Sequence, residues 1–225
     1  MIISHRKKFI FTKTVKTAGT SIECYFERFA MPEGTWSFSE GREEAISEAG
    51  VIGRRAGSIE GCSFYNHMPA KEIIDNVGLD LWDAYYKFTI IRNPFDKMLS
   101  AFFFFQKEAK HYPHNRQIEA FRCWLDYNSL IKNHRSCWVF DRDKYMLGDD
   151  VCVDFFIRYE NLEQDLMHVC EKLDILWKPA LLLKLKSGSK PKKHPNRCFY
   201  DEVSIKKVLD WFEFEFNFFG YSRMP

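Results

Sequence analysis

No Cys-x-x-Cys pair occurs in this chain of 225 residues, although it carries seven cysteines. Their number is odd and they stand at 24, 62, 123, 137, 152, 170 and 198, so free thiols in a reducing, cytoplasmic setting are the simplest expectation. His134-x-x-Cys137 is the nearest approach to metal-ligand spacing, and without a partner pair no metal site is expected. Also missing is any apolar run near the ~20 residues that a membrane span needs. Phe9-Ile10-Phe11, after Arg6, Lys7 and Lys8, is too short for a signal-peptide core. An excess of one charge is absent as well. Lys and Arg number 33 against 31 Asp and Glu, a net +2 that gives no reason to expect a nucleic-acid partner. With no internal repeat and no interdomain linker, residues 1–225 read as one domain.

What the chain does have is a 46% hydrophobic content and 22 Phe, several of them spaced as helical stripes that suit core packing. Two segments share a further design. In the first, the strand-like run 8–13 breaks into Thr14-Val15-Lys16-Thr17-Ala18-Gly19-Thr20, and a helix over 21–30 follows with Ile22, Tyr25, Phe26 and Phe29 on one face. Thr20 and Glu23 have the spacing of a capping box. In the second, strand 87–92 ends in Arg92. Asn93 then reads as the N-cap and Pro94 as the first residue of a helix over 94–108, with Phe95, Met98, Leu99 and Phe102 on one face. A helix N-terminus offers backbone N–H donors and the positive end of a dipole, so a cation-bearing loop entering it suits a phosphate or sulfate. Two such loops predict a ligand with two separated anionic groups.

Further elements are expected as short helices at 41–49, 69–76 and 80–86, a helix at 116–132, and a strand at 153–158. A helix capped by Asn161 should run to about 173, and a last helix from 202 should stop at Gly220. The stretch 31–66, rich in Gly, Ser and Glu, is expected to cover one side of the site. Strands alternating with helices predict a three-layer α/β/α domain with a mainly parallel sheet, and both anion loops fall at C-terminal strand ends, where such sheets bind ligands. From Lys184 to Arg197 the chain carries Lys184, Lys186, Lys190, Lys192, Lys193, His194 and Arg197 and no acid. This basic segment is expected to close over an anionic ligand, with Lys193 and Arg197 contributing to cofactor binding.

The first loop has no Walker signature, because Lys16 precedes Gly19 instead of following it. Instead, three blocks resemble the sulfotransferases that use 3′-phosphoadenosine 5′-phosphosulfate (PAPS), especially the carbohydrate enzymes related to the heparan and uronyl 2-O sulfotransferases and their bacterial relatives. Lys16-Thr17-Ala18-Gly19-Thr20-Ser21 resembles the family's 5′-phosphosulfate loop. Arg92-Asn93-Pro94, with Ser100 eight positions after Arg92, resembles its 3′-phosphate motif. Arg158-Tyr159-Glu160-Asn161-Leu162-Glu163-Gln164-Asp165 resembles a late strand-to-helix segment, and Phe218-Phe219-Gly220-Tyr221 resembles the C-terminus. Two positions depart from the pattern: Lys13 and Val15 stand where the family has His and Pro, which predicts extra positive charge near the sulfate and a looser loop.

The resemblance implies a P-loop-like sulfotransferase fold and PAPS as cosubstrate without a metal. It implies a hydroxyl acceptor, here a carbohydrate. Residues 16–21 would then hold the phosphosulfate, and Arg92 and Ser100 the 3′-phosphate. His67, in Asn66-His67-Met68-Pro69, matches the family's catalytic His in a His-x-Pro setting and is the expected base, with Lys16 catalytic beside it and Glu60 as the fallback. Two other readings stay open on the residues alone. A P-loop-type nucleotide kinase would require Mg²⁺, and a non-catalytic module would bind anionic polysaccharide through residues 184–197.

Overall fold

The computed structural model describes residues 1–130, 139–183, 185 and 195–225. In chain order the elements are β1 (Ile2–Ser4), β2 (Phe9–Phe11), α1 (Gly19–Ala30), β3 (Ala45–Ser47), β4 (Gly50–Ile52), α2 (Ala70–Val77), α3 (Leu79–Ala84), β5 (Tyr86–Ile91) and α4 (Pro94–Phe105). There follow α5 (His114–Leu130), β6 (Met146–Leu147), β7 (Asp150–Val151), β8 (Phe155–Arg158), α6 (Leu162–Lys172), α7 (Glu202–Trp211) and α8 (Glu213–Phe219). They fall into two compact units, residues 1–91 with 140–185 and residues 92–139 with 186–225.

The first unit is built on a six-stranded sheet of order β3-β4-β1-β2-β5-β8. Side chains alternate across it as the pleat demands. Ile2, Phe9, Phe11, Ile52, Phe88, Ile90 and Ile157 face α1 and α6, where Ile22, Phe26, Leu166 and Val169 complete one apolar layer. Ile3, Ile10 and Val51 face the other way, onto Ala70, Ile73 and Ile74 of α2 and Trp82 of α3. Helices therefore cover both faces, as expected.

The sheet itself is mixed and not mainly parallel. β2 pairs with β5, and β5 with β8, in parallel; β1–β2, β1–β4 and β3–β4 are antiparallel. The difference has a local cause. Parallel neighbours need long crossovers, whereas β1–β2 and β3–β4 are joined by tight turns that force antiparallel pairing. The β3–β4 hairpin also replaces the helix expected at 41–49. Its turn leads into Gly50 at φ 153°, where an added Cβ would stand 2.1 Å from the Ile3 carbonyl oxygen. β6 and β7 form a separate antiparallel pair.

The second unit holds α4, α5, α7 and α8 around an aromatic core. Phe102 meets Phe121 edge-on at 5.4 Å, Phe121 meets Tyr200 at 5.0 Å, and Phe95 packs on Phe216 at 5.1 Å. The buried Tyr200 hydroxyl donates to the Phe95 carbonyl at 2.6 Å. The expected last helix is two, α7 capped by an Asp201/Ser204 box and α8 ended by Gly220 in the left-handed conformation. Among the described residues, no helix is long and apolar enough to cross a membrane.

Candidate active site

β2 ends at Phe11, and the next residues are pinned one by one. The Thr12 N–H donates to Phe88 of β5, and the Thr14 hydroxyl donates to the Ile90 carbonyl while meeting the Thr17 hydroxyl at 2.8 Å. The Val15 N–H donates to both oxygens of the buried Asp141 carboxylate, at 3.1 and 3.0 Å. Lys16 (φ 62°) and Ala18 (φ 67°) then adopt left-handed backbone, which turns the chain sharply into α1 at Gly19. A left-handed residue among right-handed neighbours draws successive N–H groups into an anion-binding concavity. No side chain caps α1, which begins two residues earlier than expected with Ala18 as its N-cap. The predicted Thr20/Glu23 capping box is therefore absent.

Glu23 is instead drawn into a buried ion cluster. Its carboxylate takes Lys13 Nζ at 2.6 Å and an Arg55 terminal nitrogen at 3.1 Å, and Arg55 also pairs with Glu27. Burial pushes the Glu23 carboxyl up, but Lys13, the Met1 amino group at 2.7 Å and Arg55 together outweigh it and hold the group well below the usual carboxylate range. Lys13 is thus a buried, paired cation and not an extra charge presented to a sulfate. Its ammonium also donates to Thr20 Oγ1 at 3.1 Å. The loosening expected from Val15 is overturned too, because Asp141 holds an N–H that proline lacks.

The structure brings His67 against this loop: its Nδ1 lies 3.0 Å from the Lys13 carbonyl oxygen. A carbonyl only accepts, so Nδ1 carries the proton and Nε2 keeps the lone pair. Burial, then the Lys13 charge, push the imidazole down to about 3, so it is neutral at physiological pH. His67 itself sits at φ 59°, a backbone conformation rare for a non-glycine residue.

In the second unit Asn93 caps α4 as expected, accepting from the Phe95 N–H at 2.9 Å, with Pro94 next to it. Arg92 donates through Nε (2.7 Å) and a terminal nitrogen (2.5 Å) to Asp96, whose other oxygen accepts from Asn196 at 3.0 Å. Ser100 is buried one turn beyond Asp96 on the same face of α4. Arg197 is exposed on a 3₁₀ turn at 196–199. Lys193, with the basic stretch from 186 to 194, and the His134/Cys137 pair lie outside the described residues.

The model of the sulfotransferase family matches residues 1–222. The chain belongs to the sulfotransferase family. An uncharacterized protein of Archaeoglobus fulgidus is 29% identical over 114 residues, 48% of this chain and 83% of that protein. No solved structure matches.

Sequence reading missed several residues that shape these two segments. Asp141 lies 126 residues from the loop N–H it holds and Arg55 lies 32 residues from Glu23 of α1, and no local pattern marks either. Asp96 was visible at four residues from Arg92 on a helix start, a spacing that favours an ion pair. The Ser21 hydroxyl accepts from the Leu185 N–H at 3.1 Å, which leaves the hydroxyl able to donate. In the late block, Asp165 closes the β8–α6 turn by accepting from the Arg158 N–H and Asn161 Nδ2, both at 2.7 Å.

Proposed function

We propose that this chain transfers a sulfuryl group from PAPS to a hydroxyl of a carbohydrate acceptor, as a single sulfotransferase domain acting in the cytoplasm. The observation that carries the reading is the loop at 14–18: left-handed Lys16 and Ala18 feed an α1 that no side chain caps, a donor set suited to an anion. Residues 16–21 hold the phosphosulfate end, and Arg92, Ser100, Lys193 and Arg197 hold the remaining phosphate charge. PAPS supplies an activated sulfuryl group whose transfer builds charge on the bridging oxygen. Lys16 and the amides of residues 18–21 offset that charge. Nε2 of His67, the lone-pair nitrogen, takes the proton of the acceptor hydroxyl. Its basicity rises when an anion sits beside the loop, because negative charge favours the imidazolium. The carbohydrate acceptor rests on the likeness of the three sequence blocks to carbohydrate sulfotransferases. The cytoplasm suits the six cysteines among the described residues, all free thiols.

Calorimetry with 3′,5′-adenosine bisphosphate and with AMP, both without metal, tests the reading. The bisphosphate should bind far more tightly, and Arg92→Ala should remove roughly 2–3 kcal/mol of that preference, the scale of a charge-assisted hydrogen bond. Equal affinities, or binding that appears only with Mg²⁺, would favour the nucleotide-kinase reading instead.

A further inference from the structure

We propose that Lys13 is the positioning residue of this site: its ammonium group holds the first turn of α1, and its carbonyl orients His67 with Nε2 as the proton-accepting nitrogen. The inference rests on the sulfotransferase reading and extends it to a residue that departs from the family pattern.

Contacts from three parts of this residue, its ammonium, stem and carbonyl, carry the inference. Lys13 Nζ donates to Thr20 Oγ1 at 3.1 Å and to Glu23 Oε2 at 2.6 Å, both on α1. The aliphatic stem lies against Gly19, where an added Cβ would come within 2.7 Å of Lys13 Cγ, so the stem and the helix start are packed as one piece. The Lys13 carbonyl meets His67 Nδ1 at 3.0 Å. Lys13 is 2% exposed, so these contacts are made without competition from water. The side chain therefore fixes the start of α1, and the main-chain carbonyl of the same residue fixes the imidazole that would take the proton. The charge acts in the same direction. Lys13 and the Met1 amino group disfavour a proton on His67, and Glu23 favours one. Removing the Lys13 ammonium must make His67 easier to protonate.

The test uses the full chain and needs no acceptor. Nitrogen NMR of the imidazoles, titrated from about pH 2.5 to 8 without nucleotide, should show wild-type His67 with the proton on Nδ1 and a midpoint of about 3. Lys13→Met keeps the stem against Gly19 and removes the charge. In that variant the His67 midpoint should climb by about one unit or more, and the affinity for 3′,5′-adenosine bisphosphate should fall roughly tenfold. If Lys13→Met does not fold, Lys13→Met with Glu23→Gln removes both members of the pair; the midpoint should still rise, because Lys13 outweighs Glu23 at His67. A midpoint unmoved in the folded variant, or a wild-type His67 protonated on Nε2, overturns the proposal. The two readings fail separately. A raised midpoint in a chain that binds no bisphosphate sinks the cofactor assignment and leaves the Lys13 coupling standing. An unmoved midpoint with intact, selective binding does the reverse.

Discussion

Asp141 accepts the Val15 N–H with both carboxylate oxygens while remaining 2% exposed, so a buried charge holds a backbone donor at the mouth of the loop over 14–18. Charge-assisted bonds of this kind are stronger than neutral ones, and removing a partner costs the desolvation of the group left behind. Val15→Pro would insert the residue typical of the family and delete that donor. It should lower stability to urea by about 1–3 kcal/mol and weaken bisphosphate binding with it. Unchanged stability would mean that Asp141 draws its compensation elsewhere and that the N–H at position 15 is incidental. The same residue scale explains the fate of Lys13: where the sequence suggested a cation presented to sulfate, Glu23 claims the ammonium group and Gly19 claims the stem.

At the scale of elements, what could be read in advance followed from local pattern. The Asn93-Pro94 start of α4 is written in adjacent residues, and so are the strands that precede α1 and α4 and the Gly220 stop. β1, β3 and β4 were not legible because, unlike the equally short β2, none runs into a loop and helix start, and their pairing depends on one another. Gly50 is where that dependence can be measured. The Ile3 carbonyl leaves no space for a side chain there, and the φ of 153° disfavours one in any case. Gly50→Ala should therefore cost about 3 kcal/mol, read as a lower denaturant midpoint, by separating β4 from β1. A neutral substitution would show that this edge of the sheet yields freely. Glu23 marks the same boundary from the other side: its spacing from Thr20 promised a cap, and Lys13, the Met1 amino group and Arg55, 32 residues away, claim its carboxylate instead.

For the molecule as a whole, a net charge of +2 says little, because what governs an anion is where the cations stand. Lys13, Arg55 and Arg92 are largely withdrawn from solvent and paired with Glu23, Glu27 and Asp96. Lys16 differs in placement: it is half-buried, on left-handed backbone, between the residues that anchor the loop and the start of α1. Charge at the start of a helix contributes most where charge develops during reaction. Lys16 and Arg92 could be picked out from the sequence because loop and helix start are contiguous. Asp141 and Asn196, which help hold those segments, could not be assigned that work without the fold. The expected consequence separates binding from chemistry. With PAPS and an acceptor both saturating, Lys16→Ala should lower kcat by about 10²–10³-fold while changing the Kd for 3′,5′-adenosine bisphosphate only a few-fold. Loss of affinity with kcat preserved would make Lys16 a binding residue, and the charge of the transition state would then rest on the backbone donors of residues 18–21.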